Sequence, residues 1–177
     1  MNKHLKLVRE FHDASSCPQA AQGANAHLSE MDIIMYQALL MEAGSELFKA
    51  IKAGDMVEIL AGMINLAYCA LGAIAVQGAD VLDSPVSWRH DGFVISLMRL
   101  FSDKINQCAS GNPDHYSAVY SLCVYLSRSF INADFDKAFK MLHDSKMSEL
   151  DNSGVPVEDT RRSKFFKMPD LSACLYE

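Results

Sequence analysis

Apolar residues recur three and four positions apart along most of the chain, the spacing of one face of an α-helix with about 3.6 residues per turn. Leu5, Val8 and Phe11–His12 mark a short helix over 4–14. Residues 15–28 carry Pro18, Gly23 and many small side chains and read as a loop. Ser29, with Asp32 three positions on, predicts an N-cap and a helix to about Lys52. Leu40, Leu47 and Ile51 form its apolar stripe, and Glu42 and Glu46 stack four apart near it. Ala53-Gly54 breaks the helix, and Asp55 opens the next, with Glu58 in the capping-box position and Gly78 as its C-cap. A turn this short makes the two helices antiparallel.

Residues 59–78 contain no charged side chain and match the length of a bilayer span. They also hold Asn65, Gln77 and many small residues, and acids flank both ends with no basic anchor. The expectation is a central helix buried on all sides. Further on, Pro85 or Gly92 opens a segment in which Val94, Leu97, Met98, Phe101 and Ile105 keep helical spacing. Gly111-Asn112-Pro113 stops it and starts a helix over 113–131, with Val119, Leu122, Cys123, Leu126 and Phe130 facing inward. Asn132 or Asp134 caps a last helix on Phe135, Phe139 and Leu142, ending near Leu150. Residues 151–177 are turn-rich and predicted to be extended, with a short strand conceivable at 155–157. The pattern specifies one all-α domain over 1–177, without internal repeats.

The formal net charge is −6, and the densest basic group is Arg161, Arg162, Lys164 and Lys167. An acidic surface argues against a nucleic acid or an anionic membrane as the main partner, and leaves room for a small phosphorylated ligand arriving with a cation. Five widely spaced cysteines without a Cys-x-x-Cys fit reduced thiols in a cytoplasmic protein. The charged, amphipathic first twelve residues do not read as a signal peptide. His90-Asp91 is a conceivable acid–base pair, and His12 and His143 read as packing histidines.

Paired carboxylates beside an apolar helix pair suggest an oxygen-ligand Mg²⁺ site, which uses a few carboxylates together with substrate phosphates and water. Glu42-Ala43-Gly44-Ser45-Glu46 on one helix, and Gly62-Met63-Ile64-Asn65 followed by Leu-Ala-Tyr-Cys-Ala-Leu-Gly on the next, carry a resemblance. So do Val8-Arg9-Glu10-Phe11-His12 and the stretches 138–151 and 162–171. Together they resemble the all-α NTP pyrophosphatase superfamily, which includes MazG-like proteins and phosphoribosyl-ATP pyrophosphohydrolases. The resemblance covers 5–80 and 134–171, and it makes 83–132 a two-helix insertion.

The resemblance implies a MazG-like helical bundle assembled as a homodimer. It further implies hydrolysis of an NTP or dNTP to monophosphate and pyrophosphate with Mg²⁺. Glu42 and Glu46 would be the catalytic pair and would hold the metal together with Glu58 and Asn65. Lys146, Arg162 and Lys164 would meet the phosphates. Ala43, Gly62 and Asn65 stand where the family pattern has acids, and Lys146 and Glu149 replace its usual Asn and Lys. These departures motivate the alternative: a degenerate relative that binds a nucleotide or a protein partner without hydrolysis.

Overall fold

A computed structural model describes residues 1–83, 85–150 and 168–176. Six α-helices form among these residues: α1 (Lys3–Ala14), α2 (Glu30–Ala53), α3 (Met56–Gln77), α4 (Val94–Gln107), α5 (Pro113–Ser129) and α6 (Phe135–Ser148). Their ends follow the local chemistry. Ser29 and Asp32 form a reciprocal capping box on α2, and Asp55, Asn112 and Asp134 accept the first free N–H groups of α3, α5 and α6. At α3 only the Asp55 half of the expected box forms, with its carboxylate accepting from Val57 and Glu58 N–H. Gly54 and Gly78 end α2 and α3 at φ 71° and 63°, left-handed values that a side chain disfavours.

Helix α3 is the axis of the molecule. Residues 59–64, 66–68, 70–75 and 77 are all buried, which explains why its sequence lacks an obvious polar face. It is long and apolar enough to cross a membrane, yet 83% of its most apolar window is covered by the rest of the protein. Helices α2 and α5 cover it most extensively, and α1 and α6 close the remaining sides. Leu47 sits beside Gly62 and Tyr36 beside Gly72, so α2 and α3 run antiparallel as the short turn requires.

Packing settles or changes several of the sequence expectations. Within 83–132, the stretch read as a two-helix insertion, α5 packs along α3 and buries Tyr116, Val119, Leu122, Cys123 and Leu126. Of the two starts left open, Pro85 and Gly92, the second holds: 85–92 is irregular, and α4 begins at Val94. Phe130 faces outward and stacks on the His90 ring at 5.4 Å. The described end of the chain is also not simply extended. Ser172–Cys174 makes a 3-10 turn, Leu171 and Cys174 are buried, and Asp134 N–H donates to the Cys174 carbonyl at 2.8 Å. The stretch 155–157, where a strand was conceivable, lies outside the described residues.

Candidate functional site

Glu42 and Glu46 project from the same side of α2 and are both exposed. Glu46 accepts from Lys49 Nζ at 2.8 Å, a solvated pair of small energetic weight. Across the α2–α3 contact stands half-buried Asn65, with Cys69 one turn further along α3. Glu58 is exposed in the first turn of α3, nearly two turns before Asn65. Arg162 and Lys164 lie outside the described residues.

Positions 43 and 62, where the family pattern has acids, are part of the core. Ala43 is buried, and a Cβ at Gly62 would lie 3.0 Å from Leu47 Cα and 3.1 Å from its Cβ. Among the described residues no three His, Cys, Asp or Glu side chains converge where a metal ion would sit. Glu42, Glu46, Glu58 and Asn65 therefore do not make a closed cage. A Mg²⁺ on this face would take its remaining ligands from phosphate and water.

The structure brings Lys146 to this face from the last turn of α6. Its ammonium stands 5.1 Å from the centre of the Tyr68 ring, a cation–π geometry. Burial lowers the Lys146 pKa, and the Cys69 thiol and Glu149 oppose that shift. Burial likewise raises the Cys69 thiol, with Lys146 acting against it and Glu42 with it. Glu42, Cys69, Lys146 and Glu149 thus share one electrostatic neighbourhood at the junction of α2, α3 and α6.

Beneath it, Tyr68 stacks on Phe139 and meets the buried His143, whose Nδ1 lies 3.3 Å from the tyrosine oxygen. Burial lowers the His143 pKa, so the ring is neutral near pH 7, and Glu10 stands 3.9 Å from its Nε2. This packed aromatic floor holds the Tyr68 ring over which the Lys146 ammonium stands. Tyr68 and Cys69 were legible only as part of the Asn-Leu-Ala-Tyr-Cys stretch. No periodicity announces that Lys146, on a helix far along the chain, lies over the Tyr68 ring.

His90 and Asp91 do local work. His90 Nδ1 accepts from Gly92 N–H, and Asp91 accepts from Phe93 N–H and Ser96 Oγ, so the pair builds the turn into α4. The cysteines are free: Cys108, Cys123 and Cys174 are buried, Cys17 and Cys69 half-buried. Set against known proteins, the chain matches no family model, no curated protein and no solved structure.

Proposed function

We propose that this chain is a MazG-like helical protein that binds a nucleoside triphosphate, or a related phosphorylated small molecule, without hydrolysing it. The observation that carries the reading is the Lys146 ammonium held over Tyr68 beside Cys69, with Glu42 acting on the same thiol. A lysine partly stripped of water and fixed against an aromatic face is a suitable point charge for phosphate. Mg²⁺ is assigned to the ligand, as the cation that accompanies the phosphates, with Glu42 as its nearest protein carboxylate.

The hydrolytic alternative would rest on Glu42 and Glu46 as metal ligands. The positions that would complete an acidic cluster have instead been given to packing: Ala43 is 2% exposed, and Gly62 is pressed against Leu47. A carboxylate at either site would lose its hydration in apolar surroundings, at a cost of several kcal/mol unless compensated. That favours binding over turnover.

The test is a panel of NTPs and dNTPs with Mg²⁺, monitored for both thermal stabilisation and pyrophosphate release. The expected result is a raised melting temperature with at least one compound and no pyrophosphate. Turnover that disappears in Glu46→Gln would assign the protein to hydrolysis instead.

A further inference from the structure

Helix α4 closes on α2 at one end. Ile105, in the last turn of α4, lies so near Gly44 that an added Cβ there would come within 2.7 Å of its Cδ1. Gln37 Nε2 donates to the Ile105 carbonyl at 3.1 Å, and Gly111 just beyond abuts Ile33. The two helices are therefore antiparallel and in contact at this end. Toward Val94 the contact opens into a groove of about 720 Å³. That is the size of a small-molecule pocket.

Its walls are apolar along their length, with Met41, Phe48 and Ile51 from α2 and Val94, Met98 and Ile105 from α4. Methionine on both walls is unbranched and reshapes readily around an apolar guest. Charge along the groove is uneven. Lys52 stands at the Val94 end, exposed, and among the described residues it has no ion-pair partner. Its stem can lie along the apolar wall while the ammonium stays in water at the mouth. Lys49, nearly one turn back, is held by Glu46 at 2.8 Å. The acid among the lining residues, Asp103, lies toward the closed end, about 14 Å along α4 from Val94.

We infer that this groove binds a long-chain carboxylate, with the hydrocarbon between α2 and α4 and the carboxylate at Lys52. The tail points to the closed end, where Ile105 meets Gly44, and the head stays at the open one. A cationic amphiphile in the same pose would meet Lys52 as a like charge, and a neutral one would gain nothing from it. The length agrees. Val94 to Ile105 spans about 16 Å at 1.5 Å per helical residue. An extended chain covering about 3.6 Å per three bonds fills that span with about thirteen bonds. The groove is built from α2 and α4, whereas Lys146 and Tyr68 belong to α6 and α3, so the inference does not depend on the phosphate-binding reading.

Isothermal titration of the full chain with tetradecanoate tests it, with tetradecyltrimethylammonium as the control of equal chain and opposite charge, each below its micelle-forming concentration. The wild type is expected to bind tetradecanoate saturably, at least about tenfold more tightly than the cation. Lys52→Glu should reverse that preference. Ser102 is exposed on the groove wall, so Ser102→Trp obstructs the groove without entering the core and should abolish binding, with circular dichroism confirming the fold. Lys146→Met should bind tetradecanoate as the wild type does, which separates this groove from the nucleotide site. No saturable heat with tetradecanoate, a preference unmoved by Lys52→Glu, or binding indifferent to Ser102→Trp would each overturn the inference. So would sedimentation showing that a second copy already fills the groove, as self-association that Ser102→Trp abolishes and tetradecanoate leaves unchanged.

Discussion

Gly62 lies so close to Leu47 that a Cβ on it would come within 3.0 Å of the Leu47 backbone. The absence of a side chain at 62 is what lets α2 settle on α3. In an unconstrained helix, alanine would be about 1 kcal/mol better than glycine. Here overpacking, which costs about 1–3 kcal/mol, outweighs that gain. Gly62→Ala should therefore lower the unfolding free energy in urea by about 1 kcal/mol, and Gly62→Glu by more. Full stability in Gly62→Glu, accompanied by new Mg²⁺ affinity, would contradict this account of the position.

His4 is buried where α1 meets α5 and α6. As a neutral ring its Nε2–H donates to Asp136 Oδ1 at 3.1 Å, and its Nδ1 accepts from the Tyr120 hydroxyl at 2.8 Å. Burial drives its pKa down from 6.5 to about 4, against the pull of Asp136. Because the folded value lies below the unfolded one, unfolding takes up a proton between these limits. The stabilisation is complete above pH 6.5 and is lost as pH falls toward 4. Each tenfold difference in proton affinity between the folded and unfolded chain is worth about 1.4 kcal/mol, so roughly 3 kcal/mol goes in that window. The lowered pKa of His143 acts in the same sense. Urea unfolding at pH 7 and pH 4.5 should show the difference, and His4→Gln should flatten it. A wild-type stability that does not change over this range would refute the assignment.

Leu171 is fully buried, and the chain end around it is hydrogen-bonded to the α5–α6 junction through Asp134 and Asn132. Leu171→Ala removes a buried side chain and leaves a cavity, which should cost about 2–4 kcal/mol. Thermal melting would detect this directly. An unchanged melting temperature would mean that the chain end contributes nothing to the core.

The sequence made the helices legible wherever an apolar stripe coincided with a cap, as at Ser29 and Asp55, or with a stop such as Gly111-Asn112-Pro113. It also marked α3 as the buried axis, because no charge interrupts 59–78. It failed where tertiary contacts override local pattern. Pro85 and Gly92 were both open as the start of the next helix, and the turn that His90 and Asp91 build just before α4 decides for the second. Phe130 kept the inward spacing of α5 but falls just past the helix, where the stripe no longer points at α3. The segment 171–176 has too short a pattern to show that it folds back. At the candidate site, Glu42 and Glu46 were visible as a pair. The meeting of Lys146 with Tyr68 and Cys69 depends on how α6 crosses α3, which residue spacing does not encode.

The most direct test of the phosphate-binding claim is isothermal titration with a non-hydrolysable dNTP in the presence of Mg²⁺, on the wild type and on Lys146→Met. Methionine preserves most of the apolar stem over Tyr68 and removes the charge. Saturable heat is expected for the wild type and an affinity at least about tenfold weaker for the variant, a loss of about 1.4 kcal/mol or more. No heat from the wild type with any nucleotide tried, or equal binding by Lys146→Met, would contradict it.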